Sequence, residues 1–274
     1  MAIFSKICVL ALITAASLSY ASPVVERATS ALNTTDCNGK TYVYQQLAGW
    51  GLLAGNGTDD YGDTLGGIGS SLALKKGSWK KKGDQYVGEF WALPDRGWNT
   101  EGTLNFQPRV HRFKFTFTPN DAASVSKPGK PNLVLKYKDT IRLKDPKGKA
   151  TTGLDPDFGD GTLKFKGFPD LPAATYTGDG FGGTGKGGHR VSLDTEGIVL
   201  NDDGTFWISD EYGPYVYKFD EDGVMIKAIR PVDAVIPLRN STQRYTFSLD
   251  FSLRMQLKLL LTLEQLQRRL PTPL

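Results

Sequence analysis

The 274-residue chain has only two cysteines, two histidines and three methionines, and each shortage narrows what it can do. A serine–histidine triad could use only His111 or His189, and no G-x-S-x-G elbow accompanies either. His111 sits in an alternating strand pattern and reads as structural. Cys8 lies in an N-terminal apolar run that is expected to be removed, which leaves Cys37 alone in a compartment that favours disulfides. Cys37 is then either a buried free thiol or half of a bridge to sequence outside this chain. Past the first apolar run, no stretch is long and continuous enough to span a bilayer, so no membrane span is expected. The net charge of +4 is modest. Lys75, Lys76, Lys80, Lys81 and Lys82 flank Gly77 and Gly83 and read as a solvated hairpin, so no nucleic-acid partner is expected.

What the chain does contain begins with an address. Lys6 precedes the apolar run 7–16, and Ser19-Tyr20-Ala21 carries small residues at the two positions that signal peptidase reads. Cleavage after Ala21 predicts a secreted, extracellular product. The sequons at Asn33, Asn56 and Asn240 predict glycosylation on that route. Thirty-one glycines, fifteen prolines and 11% aromatic residues suit short strands joined by tight turns.

One pattern recurs. FWALPDRG (90–97) returns as FWISDEYG (206–213), each an aromatic strand with an acidic exit. GGIGSSLAL precedes the first copy and EGIVLNDDG the second; VHRFKFTF and VYKFDEDG follow. On this alignment Gly66 stands opposite Glu196. A repeated four-strand unit predicts an all-β, β-propeller-like fold, and two such units are fewer than the roughly 4–8 blades that close a propeller, so an incomplete one is expected. No glycine follows Gly223, and the tail becomes rich in leucine, with Leu253, Leu257, Leu260 and Leu261 in a helical stripe. Either a helix docks on the sheet edges, or the reading frame or splicing is altered after about Asn240. The expected divisions are a signal peptide at 1–21, a short segment at 22–36, the propeller-like domain at 37–240 and the atypical tail at 241–274.

The segments around 61–71, LPDRGWNTEG (93–102), TYTGDGFGG (175–183) and DTEGIVLNDDGTFWISDEYGPYVYKFDEDG (194–223) resemble fungal secreted proteins of the phytase-like family, whose domain is called the esterase-like activity of phytase. The resemblance runs from about Cys37 to Asn240 and stops where the leucine-rich tail begins. It implies a β-propeller with several acidic residues serving phosphoester or phosphodiester hydrolysis, hence a phosphorylated small molecule or other ester as substrate.

From the residues themselves, Asp95, Glu196, Asp210 and Glu211 each lie at a strand end. Gathered at one channel mouth, such carboxylates could hold Ca²⁺ or another divalent cation, which binds phosphate oxygens and stabilises charge as water attacks. Asp95, Glu196 and Glu211 are the expected metal ligands; Glu196, Asp210 and Glu211 are the expected catalytic acids and bases. Each also has a plainer role open to it, capping a turn or pairing with Arg96 or Lys218. Arg96, Lys186 and His189 are the expected contacts to an anionic substrate.

The stretch GFGGTGKG (180–187) nearly matches a phosphate loop, but Gly187 replaces the magnesium-binding hydroxyl, and HRVSLD alternates like a strand where a helix is required. No nucleotide cofactor is expected. Three functions remain open: a metal-assisted phosphoesterase, a non-catalytic propeller that binds a carbohydrate or protein, and a lactonase-like esterase. Oligomeric state is left open.

Overall fold

The computed structural model describes residues 33–44, 49–96, 105–120, 122–123, 127, 129–157, 161–212, 214–232 and 234. The leader with its cleavage site, Asn240, and the leucine-rich tail with its expected helix lie outside the described residues. Every regular element among those described is a strand, and every sheet pairing with a stated register is antiparallel, so the chain is all-β.

Two compact units divide the chain. The first takes Met1–Gly51 with Phe117–Leu133. It contains the hairpin β1 (Asn33–Cys37) and β2 (Lys40–Tyr44), turned by Asn38 and Gly39 at φ 50° and 70°. Two successive positive φ angles match the right-handed twist of a two-residue hairpin, which is why Asn-Gly occupies it. The expected division at residues 36–37 falls inside β1, and Cys37 is exposed with a free thiol.

The second unit, Leu52–Thr116 with Val134–Leu274, carries the repeat. Its first copy supplies β3 (Ser71–Leu74), β4 (Lys80–Lys82), β5 (Gln85–Leu93), β6 (Arg109–Phe117) and β7 (Leu133–Arg142), the last two reaching the boundary with the other unit. They order as β3-β5-β6-β7, with β4 hairpinned onto β5 through Gly83. The lysine run is therefore one exposed strand and its turn. Between the copies, β8 (Thr162–Leu163), β9 (Leu171–Tyr176) and β10 (Gly188–Val191) make a three-stranded sheet. The second copy is a meander of β11 (Thr195–Leu200), β12 (Phe206–Asp210), β13 (Val216–Phe219) and β14 (Met225–Ile229). A strand, β10, follows the glycine-rich stretch, so the helix that a phosphate loop needs is missing there.

One turn recurs throughout this unit. Asp59, Asp145, Asp179 and Asp220 each accept, on Oδ1, the backbone N–H groups two and four residues on. The fourth position is in each case a glycine at positive φ: Gly62, Gly148, Gly182 and Gly223. The carboxylate satisfies amides that the reversing chain would otherwise leave bare, and glycine alone takes the left-handed angle without a steric cost.

The sheets share a core through alternating residues. Trp91 and Leu93 of β5, Val110 of β6, Ile198 of β11 and Phe206 and Ile208 of β12 are all buried in one cluster, with Trp91 edge-on to Phe206 at 5.4 Å. His111, fully buried on β6, shares a hydrogen bond with Thr140, and burial lowers its pKa to about 4.

Strand register revises the sequence alignment of the two copies. Phe90 pairs with Leu74 as Phe206 pairs with Leu200. Counting back along β3 and β11 then puts Ser70, not Gly66, opposite Glu196. The two first strands lie side by side and run the same way: the Ser71 hydroxyl accepts from the Ile198 N–H near one end, and Lys76 meets Asp202 at 2.5 Å at the other.

Candidate functional site

The site forms where those first strands meet. Along β11 the register slips between Thr195, which faces Asp210, and Gly197, which faces Ser209. Glu196 is therefore the extra residue of a β-bulge, and a bulge re-aims a side chain out of the regular pleat. Glu211 leaves the end of β12, and Asp194 enters β11. Ligand oxygens of Asp194, Glu196 and Glu211 lie within 4.8 Å of one another. Ser70 hydrogen-bonds Glu196.

Burial governs the electrostatics. Loss of solvent raises the Glu196 carboxyl to about 8, with the charges of Asp194, Glu211 and Asp95 adding to the effect. Asp194 rises to about 6 for the same first reason, although its contacts with Arg96 pull the other way. Burial raises Glu211 too, opposed by Arg96 and reinforced by Asp95. Carboxylates this close cannot all ionise without a compensating positive charge.

Arg96 supplies part of that charge. It is 7% exposed; its Nε donates to Asp194 Oδ2 at 2.9 Å, and its Nη2 lies 3.9 Å from Asp155. The guanidinium stacks over Tyr212 at 4.9 Å, and the Tyr212 hydroxyl donates to the Gly153 carbonyl. Arg96 Nη1 and Asp194 Oδ1 are both buried without a hydrogen-bond partner, although the Asp194 and Glu211 carboxyls lie close enough to bond when one of them is protonated. Buried polar atoms are rarely left so, and two in one cluster suit a ligand that completes them.

The donor set fits a hard cation. Oxygens bound to one Ca²⁺ at about 2.4 Å can lie at most about 4.8 Å apart, the spread within which these three fall. Asp194, Glu196 and Glu211 could therefore hold a metal ion.

Of the residues expected from sequence, the structure brings Glu196 and Glu211 together, with Asp95 near enough to disfavour their ionisation and Arg96 bonded into the group. Asp210 lies behind them. It is fully buried; Oδ2 accepts from the Asp194 N–H at 2.8 Å and Oδ1 from the Tyr212 N–H at 3.0 Å. His189 stands on β10 with its side chain 61% exposed, 3.2 Å from the Thr175 hydroxyl and 3.8 Å from Asp157. Lys186 is exposed beside it on the glycine loop. Asp194 joins the group without having been expected from sequence. No local signal marks it, because the bulge at Glu196 breaks the period-two alternation that would otherwise relate residues two apart. A cavity of about 670 Å³ opens farther along the same pair of strands, between Ala73 to Lys76 and Ile198 to Thr205, with Trp91 and Arg112 in its wall.

A small acidic centre seated on repeated antiparallel sheets is the class of site that the geometry defines. Residues 65–256 match the model of the phytase-like family, described as the esterase-like activity of phytase, and the chain belongs to that family. It is 56% identical over 207 residues to a protein of Arthroderma benhamiae described as an uncharacterized secreted protein, a match that covers 75% of this chain and 40% of that relative. The matched stretch thus spans less than half the length of that curated relative. It is a secreted protein, as the leader predicts and as that relative is described. No solved structure matches it. Among the described residues no helix is long and apolar enough to cross a membrane.

Proposed function

We propose that the two repeated sheets are neighbouring blades of a β-propeller, and that the acidic centre between them hydrolyses phosphate esters with a divalent cation, Ca²⁺ in the first instance. Support for the blade reading is the meeting of equivalent positions: Ser70 with Glu196, Arg96 with Tyr212, and Lys76 with Asp202. Adjacent blades of a propeller present their first strands to one another in this way.

The observation that carries the catalytic reading is the convergence of three carboxylates on a point where Asp194 Oδ1 and Arg96 Nη1 are buried and unpartnered. Asp194, Glu196 and Glu211 would hold the cation, with Asp95 at the rim. The cation, when bound, would neutralise phosphate oxygens and make bound water more acidic. Arg96 is fixed by Asp194 and Tyr212, so its free Nη1–H is oriented to donate to a phosphate oxygen. The second carboxylate oxygen of Glu196 or Glu211, the one not bound to the cation, can take the proton of the attacking water. Lys186 and His189, both exposed, are assigned to outer contacts with an anionic substrate.

The test is hydrolysis of bis(4-nitrophenyl) phosphate, 4-nitrophenyl phosphate and 4-nitrophenyl acetate, with Ca²⁺ and with a chelator. Chelator-sensitive release from a phosphate ester that falls at least a hundredfold in Glu196→Gln supports the reading. Activity on the acetate alone points instead to a lactonase-like esterase. No release from any substrate by a folded, cation-binding protein returns the propeller to a binding role.

A further inference from the structure

Asp210 lies one residue from Glu211, yet neither of its oxygens faces the other acids as a free ligand. One accepts the backbone N–H of Asp194 and the other that of Tyr212. These are the two places where the acidic centre most needs backbone control. Asp194 is the carboxylate that enters β11 just before the bulge, and its own N–H is the peptide that Asp210 grips. Tyr212 is the ring on which Arg96 lies, and Arg96 in turn holds Asp194. Asp210 thus closes a ring of contacts running from Asp210 to Asp194, Arg96, Tyr212 and back. A further strap joins the same segments, since the Glu211 N–H donates to the Asp194 carbonyl at 2.8 Å. The first copy has Pro94 at the position equivalent to Asp210, and Pro94 offers only its carbonyl, to Thr195 Oγ1 at 3.4 Å. The backbone clamp is therefore a property of the second copy alone, the copy that contributes all three convergent carboxylates.

We propose that Asp210 is a positioning residue of the cation centre: it sets the backbone that aims Asp194 and the ring that seats Arg96, and takes no part in proton transfer. This rests on the cation-centre reading above. Hydrogen-bonded partners of first ligands usually change metal affinity by about ten- to a hundredfold when removed, because the ligand loses its preset orientation.

The test uses the full secreted chain with Ca²⁺ and Tb³⁺ as probes. Asp210→Asn preserves size and one acceptor oxygen but turns an N–H toward one of the two amides it must receive. Ser209→Ala, a neighbouring buried change outside the ring, is the control for packing loss. Calorimetry should show affinity for Ca²⁺ falling ten- to a hundredfold in Asp210→Asn and less than threefold in Ser209→Ala. Tb³⁺ luminescence lifetimes in H₂O and D₂O should report at least one additional bound water in Asp210→Asn, the mark of a lost protein ligand. Should Asp210→Asn not fold, the wild-type protein carries the test: the amide resonances of Asp194 and Tyr212 should both shift when Ca²⁺ binds. Unchanged affinity and water count in a folded Asp210→Asn, or unmoved Asp194 and Tyr212 amides in the wild type, overturns the positioning role while leaving the cation centre standing. A wild-type protein that binds neither probe overturns both.

Discussion

Replacing Glu196 by Gln should make the cation-free protein more stable in mild alkali, opposite to the usual effect of removing a charged residue from a site. Burial and three neighbouring acids raise the Glu196 carboxyl from the ordinary 4.5 to about 8. The folded state therefore holds this proton more tightly than the unfolded chain does. The stabilisation is complete below pH 4.5 and is lost as pH rises through about 8. Taken at face value, such a displacement corresponds to about 5 kcal/mol at 1.36 kcal/mol for each tenfold change in proton affinity. Glu196 is only partly buried, and water at its rim brings the measurable part down to about 1–2 kcal/mol. For a protein of this size that is about 3–6 °C in Tm. Glutamine copies the protonated form. In chelator, wild type and Glu196→Gln should melt together at pH 5 and separate at pH 8.5, with the variant higher. With millimolar Ca²⁺ at pH 8.5 the order should reverse, since only glutamate gains a partner. Melting curves that coincide at both pH values in chelator, or a variant that is lower at pH 8.5, would refute the burial argument.

Cation binding at pH 7 should release about one proton, mostly from Glu196, read as a binding enthalpy that changes with the ionisation enthalpy of the buffer. Arg109 is 2% exposed and donates to Asp59 and Asp63 at 2.6 Å each, so Arg109→Met should cost about 3–5 kcal/mol in urea unfolding by leaving a buried carboxylate unpaired. Gly223→Ala should destabilise more than Gly148→Ala: both glycines sit at φ 77°, but a Cβ at Gly223 would meet the Arg142 carbonyl at 2.5 Å, whereas at Gly148 it meets open space and costs only about 1 kcal/mol of backbone strain. Asn56 lies in an exposed turn, so its glycan should appear as a mass loss on glycosidase treatment that Asn56→Gln abolishes.

Much of the architecture could be read from local chemistry. The apolar runs FWAL and FWI read as buried strands, and within them Trp91 and Leu93, like Phe206 and Ile208, reach one shared cluster because side chains in a strand alternate with period two. Gly204 and Gly223 mark hairpin turns because their positive φ needs no partner elsewhere in the chain. The strand after the glycine-rich stretch follows from the pattern HRVSLD alone. These features depend on a few neighbouring residues, and the sequence by itself determined them.

The acidic centre depends on contacts of another kind. Arg96 finds Asp194 across 98 positions, and Glu196 reaches its neighbours only because β11 bulges at that residue. Whether Ser70 or Gly66 stands opposite Glu196 is a question of register, and a slip of a few residues leaves local composition almost unchanged. Asp210 and Glu211 look alike in sequence, two adjacent acids at a strand end. Tertiary structure separates them, since the backbone amides of Asp194 and Tyr212 occupy Asp210 and leave Glu211 to face the centre. Sequence determined which strands and turns form, because propensity and periodicity act over a few residues. Only the folded chain decided which carboxylates converge and which proton one of them keeps, because burial and charge proximity are properties of segments brought together from far apart.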